Sequence, residues 1–133
     1  MIKLTLPWPV SINAYWKSRV INVKGAAMAT TYVTAAGVKF QNDVMAAVIE
    51  QLGQHSPLQG RLCVSMLFHG PSARKYDISN FVKTTEDALT KAGVWVDDEQ
   101  VDALFLFRKP IDRQDPRVEI HISDLGQVSG KEG

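Results

Sequence analysis

The stretch Asp77-Ile-Ser-Asn-Phe-Val-Lys-Thr-Thr-Glu-Asp-Ala-Leu-Thr-Lys-Ala-Gly93 carries the clearest helical pattern in the 133-residue chain. Ile78, Phe81, Val82, Ala88, Leu89 and Ala92 fall on one face at the helical period. Gly93 stands where a helix-ending glycine belongs. Asp87 and Lys91 form an i,i+4 pair read as lying on the outer side. Upstream, Leu62, Val64, Met66 and Phe68 alternate with Cys63, Ser65 and His69, which predicts a strand, and Gly70–Tyr76 follows as a loop. Downstream, Val94–Val96 is a short apolar link. Val101–Phe107 reads as a buried strand ending at Lys109-Pro110, and Arg117–Ile122 as a final strand.

Further out, Thr34 is a fitting N-cap for a helix running to about Leu52, with Phe40, Val44, Ala47 and Val48 as its apolar stripe and Gly53 as its stop. Ile2–Leu6 alternates as a strand and runs into the extended Pro7-Trp8-Pro9. Lys24-Gly25 is a turn signal between Arg19–Val23 and Ala26–Val33, which predicts a hairpin. These elements define an α+β domain over residues 1–125: about two helices packed on one face of a small, largely antiparallel or mixed sheet. Residues 126–133 are expected to be a frayed tail.

The composition excludes several classes of protein. An apolar share of 45% can fill one core and argues against a disordered or low-complexity chain. With 15 basic and 14 acidic residues the chain is no polycation. Its one cysteine, Cys63, makes no internal disulfide and is read as buried and inert. No apolar run approaches the roughly 18 residues of a membrane span, so a soluble, cytoplasmic protein is expected. The charge is polarised along the chain. Met1–Asn42 holds five basic residues (Lys3, Lys17, Arg19, Lys24 and Lys39) and no acidic one, whereas Asp97, Asp98, Glu99 and Asp102 form a dense acidic cluster. Such a layout suits a polyanion on one region and a metal on the other, or an ordinary solvated surface.

Asp77 opens the clear helix, and Asp97-Asp98 follows where the chain returns to the sheet. If the sheet brings them alongside, their carboxylates suit a hard ion such as Mg²⁺, with phosphate oxygens completing its shell. Asp77 also reads as an N-cap, and Asp97-Asp98 as a solvated turn. Lys83 shares the helix's polar face with Ser79 and Asn80. It can neutralise phosphate charge, or it can pair with Asp87. His69 reads as a phosphate contact or, more simply, as a structural histidine. Trp8, Tyr15 and Trp16 read as base-stacking or core aromatics.

The run Asp77-Ile-Ser-Asn80-Phe-Val-Lys83, then Asp87-Ala-Leu-Thr-Lys-Ala-Gly93, then Trp95-Val-Asp97-Asp98-Glu-Gln-Val101 closely resembles the RusA family of Holliday-junction resolvases. That family's pattern is roughly Asp-x-Asp-Asn-x-x-Lys, then Asp-Ala-Leu, then Asp-Asp-x-Gln-Val. Leu6-Pro-Trp-Pro9, with Ser11 and Asn13, is similar to its opening, and the similarity extends over roughly Met1–Leu125. The resemblance implies a homodimeric α+β endodeoxyribonuclease that binds four-way DNA junctions and cuts two opposing strands symmetrically with Mg²⁺. Members are often carried by phages and prophages. It assigns Asp77 and Asp98 as two of three catalytic, metal-binding acids and Lys83 as the essential lysine. Asn80 and Asp97 fall on motif positions, Asp97 as a third candidate ligand.

One position departs from the pattern. Ser79 stands where the family has its middle acid, so the site lacks one formal negative charge. The alternative reading is therefore a junction-binding protein with weakened or lost cleavage. Lys17, Arg19, Lys24, Arg74 and Lys75 are the candidate DNA-backbone contacts in either case. A small-molecule phosphohydrolase is a third class, but no nucleotide-cradling loop supports it.

Overall fold

Strict alternation in Leu62–Phe68 does what a period of two requires: Leu62, Val64, Met66 and Phe68 are fully buried, and the residues between them are half-exposed. A computed structural model of the protein describes residues 1–126. Its elements are β1 (Ile2–Pro7), α1 (Ile12–Tyr15), β2 (Trp16–Val23), β3 (Ala26–Val33), α2 (Ala35–Leu52), β4 (Arg61–His69), α3 (Ser79–Lys91), β5 (Val101–Lys109) and β6 (Arg117–Gly126). The main sheet has the order β1-β6-β4-β5. Its β1–β6 and β6–β4 pairs are antiparallel, and β4–β5 is parallel. The fold is therefore α+β with a mixed sheet, as expected. Inward side chains of β1, β4 and β6 meet Phe40, Val44 and Val48 of α2 and Ala88 and Leu89 of α3 in one core.

The parallel pair decides where functional groups can sit. Parallel neighbours need a crossover, and α3 is that crossover between β4 and β5. Its end is sharply defined: the Val94 amide donates to the Leu89 carbonyl at 3.1 Å and the Gly93 amide to the Thr90 carbonyl at 3.0 Å. This double closure needs a left-handed residue, and Gly93 has φ 77°. The chain then turns back immediately. Trp95, buried, donates its indole N–H to the Thr90 hydroxyl at 2.6 Å.

Three expectations are corrected. The run from Val101 to Phe107 is not buried. It lies in the edge strand β5, where Phe105 is 53% and Phe107 47% exposed. The apolar stretch Ala103–Phe107 reads as buried on both faces, but an edge strand covers only part of itself. Cys63 is half-buried rather than buried, because it faces away from the core. The last strand does not stop at Ile122: Gly126 still pairs with Arg61, so it belongs to the sheet and not to a tail. Residues 127–133, where the rest of the expected tail falls, lie outside the described residues.

The hairpin forms as expected. Lys24 (φ 52°) and Gly25 (φ 82°) make a two-residue turn of the kind that suits strand twist. β2 and β3 form a separate two-stranded sheet, almost wholly exposed.

Gly93→Ala places a Cβ in the left-handed region. It is expected to lower stability by about 1–2 kcal/mol, measured by chemical denaturation, and an unchanged midpoint would contradict this role for the turn.

Candidate active site

Asp98 is placed by the turn before β5 and not by α3. Asp98–Gln100 forms one 3-10 turn capped by Asp97, whose carboxylate accepts the Glu99 amide at 2.9 Å. Gln100 is buried, and its side-chain oxygen accepts the amides of both Val96 and Asp97 at 2.8 Å. Its NH₂ donates to the carbonyls of Leu58 (2.8 Å) and Gly60 (2.9 Å). The turn is thus bolted to the segment entering β4. Asp97, one of the candidate ligands, holds the turn in shape.

The acidic cluster divides. Arg61 takes Glu99 and Asp102, with its guanidinium 2.6 Å from the Asp102 carboxylate and 3.1 Å from that of Glu99. The hydrogen bonds from Arg61 hold the Asp102 carboxyl below the usual range. That leaves Asp98 facing α3, where Lys83 Nζ lies 3.6 Å from its carboxylate. Lys83 therefore pairs with Asp98 and not with Asp87, so the structure brings the lysine of the first half of the motif to an acid of its last part.

Asp77 precedes α3. It lines an open pocket of about 280 Å³ with Arg74, Lys75, Arg108 and Lys109. Lys109 pairs with His69 at one end of β5, whereas Asp98 precedes Val101, which pairs with Leu62 at the other. Among the described residues, no three His, Cys, Asp or Glu side chains gather closely enough to hold a metal ion. Asp77 is not the helix cap either: Ile78 holds that position with no side-chain cap. Ser79 and Asn80 are exposed at the first turn of α3. Lys17, Arg19 and Lys24 are exposed on the separate hairpin, where Arg19 lies 4.9 Å over the Tyr32 ring. His69 is structural: its Nδ1 bonds the Pro110 carbonyl at 2.9 Å, and Nε2 lies 3.6 Å from Glu119.

Three features escaped the sequence reading. Arg108 and Lys109 complete the basic pocket, and Arg108 is held by the Tyr76 carbonyl (2.8 Å) and the Tyr76 ring. Their place at a strand end, just before Pro110, was the available signal. Glu86 is buried on α3, and its carboxyl is pushed up by burial, with Lys83 lowering it and Asp98 raising it further. Its spacing from Ser79 and Lys83 was the signal there. Asp87 is no surface partner of Lys91 alone. It accepts the buried Tyr15 hydroxyl, which in turn accepts the Gln41 amide at 2.6 Å, and this ties α1, α2 and α3 together.

In kind, the oxygen donors near Lys83 fit a hard divalent cation: Asp98 half-buried, Glu86 buried, and neither a sulfur nor an imidazole ligand. The sequence that builds this site matches a known class. The family model described as Endodeoxyribonuclease RusA matches residues 7–123. The crossover junction endodeoxyribonuclease RusA of Escherichia coli (strain K12) is 32% identical over 123 residues, covering 92% of this chain and 94% of that protein. That of Enterobacteria phage 82 is 32% identical over 128 residues, and that of Shigella sonnei (strain Ss046) 31% over 127, each with the same coverage. The chain belongs to the RusA family of endodeoxyribonucleases.

Burial first, then Asp87, pushes the Tyr15 hydroxyl above the ordinary tyrosine range, against the opposing Gln41 bond. The folded chain thus holds this proton more tightly than the unfolded chain. The resulting stability is complete below about pH 10 and is lost as pH rises beyond it. Between about pH 9 and about pH 11, wild type is expected to lose more stability than Tyr15→Phe in denaturant titrations. Equal losses would contradict the assignment.

Proposed function

We propose that this protein is a structure-selective endodeoxyribonuclease that resolves four-way DNA junctions by paired symmetric nicks, with Mg²⁺ as its metal, in the cytoplasm. The observation that carries the reading is the meeting of Lys83 and Asp98 across the return of α3, within a chain whose family is that of crossover junction endodeoxyribonucleases.

On the motif match, Asp98 and Asp77 are assigned to the metal, with Asp97 as the neighbouring carboxylate. The bound ion supplies water activation and polarises the scissile phosphate. Lys83 does the rest of the local electrostatics. Its ammonium, held by Asp98 in the free protein, turns to a phosphate oxygen and stabilises the charge that develops there. Arg74 and Lys75, joined by Arg108 and Lys109, take the DNA backbone in the pocket that Asp77 borders. Lys17, Arg19 and Lys24 extend that contact along the exposed hairpin.

A homodimer suits two symmetric cuts, each protomer serving one strand. The open edge β5, with Phe105 and Phe107 exposed, favours a second copy on that side. The absence of a carboxylate at Ser79 favours one further reading, a junction-binding protein with weakened or lost cleavage.

The test is nicking of a labelled four-way junction in Mg²⁺. Wild type is expected to nick it. Asp77→Asn and Asp98→Asn are expected to abolish nicking while retaining junction binding, and Lys83→Ala to slow it by about a hundredfold. Wild-type rates in the aspartate variants would overturn the metal assignment. Tight binding without nicking by wild type would establish the alternative. Dimers in sedimentation and binding that weakens steeply with salt are expected.

A further inference from the structure

Trp8 lies between core and solvent. Its ring meets the buried Phe68 edge-on, 6.1 Å between centroids, yet the residue is only half-buried. With Tyr76 and Phe81 it lines an open recess of about 160 Å³ beside the loop that follows β4. The three rings brace one another: Trp8 is 5.3 Å from Tyr76 and 5.0 Å from Phe81, and Tyr76 is 5.7 Å from Phe81. None of these pairs is stacked face to face. Gly70 makes room for the Tyr76 ring, since a Cβ there would lie 3.0 Å from it, and Arg108 sits 4.3 Å over the same ring.

The exposed Arg74 and Lys75 complete the lining of the recess, and among the described residues no acidic side chain joins it. The basic pocket that Asp77 borders shares Ser72, Arg74, Lys75 and Tyr76 with it. An aromatic recess and a cationic pocket thus adjoin. A lone apolar recess fits any apolar group. One continuous with a cationic pocket fits a ligand whose flat aromatic part is covalently tied to an anion, and a nucleotide is such a ligand. The recess also stands at the right place on the chain, because Phe81 lies between Asp77 and Lys83 in sequence.

We propose that this aromatic recess takes one nucleobase, turned out of the stack at the branch point of the junction, while the adjoining basic pocket holds that nucleotide's phosphate. The inference rests on the junction-binding reading above and adds where one base goes. Contacts to phosphates alone carry little information about structure. A base at a branch point is more easily unstacked than one inside a continuous duplex, so a site that captures it favours the junction. The rings supply the stacking surface, and Arg74 and Lys75 supply positive charge at its side.

The test is equilibrium binding, without divalent ions, of two labelled four-way junctions that differ only in lacking or keeping the bases at the branch point. Wild type is expected to bind the abasic junction about tenfold more weakly, as suits the loss of one stacked base. Phe81→Leu should bind the intact junction about tenfold more weakly and lose nothing further on the abasic one. Its salt dependence should stay that of wild type, because no phosphate contact is removed. In the wild-type complex, 5-iodouracil placed at the branch point should photo-crosslink to Trp8, Tyr76 or Phe81.

Equal wild-type affinity for both junctions, with steep salt dependence kept, would overturn this inference and leave the junction-binding reading intact. Failure of wild type to bind the intact junction would overturn both. The same additional loss on the abasic junction in Phe81→Leu as in wild type would assign the ring to the fold rather than to a base. Crosslinks confined to residues outside the recess would overturn the inference whatever the stability of the variant.

Discussion

The carboxamide of Gln100 makes four hydrogen bonds, all to backbone: it accepts from Val96 and Asp97 and donates to the carbonyls of Leu58 and Gly60. A primary amide offers two donor hydrogens and one oxygen, so each is used. Without those bonds the Val96–Asp98 segment would be a solvent-facing turn of no fixed shape. With them it is tied to the chain entering β4, and Asp98 is presented to α3. Gly93 turns the chain, Trp95 seals it beneath the helix and Gln100 locks it. The charged residues then sort themselves around a fixed frame: Glu99 and Asp102 to Arg61, Asp97 to the turn itself, Asp98 to Lys83.

The parallel β4–β5 pair gives this frame its meaning. A helix crossing between parallel strands separates its two ends. α3 starts after β4 has reached the Lys109 end of the sheet, and the chain that returns after Gly93 brings Asp98 back beside Lys83 on the second turn of α3. The basic pocket with Asp77 and the Lys83–Asp98 pair are two regions of one surface path along α3. On the proposed reading, a DNA strand with its phosphates on the pocket would pass the exposed first turns of α3, which carry Ser79, Asn80 and Lys83. The molecule's chemistry is thus spread along a line, as suits a polymeric substrate.

Much of this was legible in the residues. The period of Leu62–Phe68, the capping threonine Thr34, the Lys24-Gly25 turn and the closing Gly93 each set a local structure that tertiary packing did not override. The motif around α3 pointed to Lys83 and Asp98 together. The exposure of β5 was missed because the apolar Ala103–Phe107 outweighed Asp102, the one charge within the run that marks an edge. Nor was the role of Asp87, since its partner Tyr15 lies 72 positions away. Glu86 looked like one more polar residue of a helix, because burial of a charge depends on what the chain folds over it. Asp77 was expected to meet Asp98 if the sheet brought them alongside, and the return of the chain after Gly93 brings Asp98 to Lys83 on the second turn of α3.

The account rests on Gln100 setting the position of the Asp97–Asp98 turn, and amide hydrogen exchange reads that bond by bond. In Gln100→Ala, the Val96 and Asp97 amides, whose acceptor is removed, should exchange about tenfold faster or more. Amides within β4 should keep their protection. Unchanged protection at Val96 and Asp97, or equal loss throughout β4, would contradict the claim that this one side chain places the acidic turn.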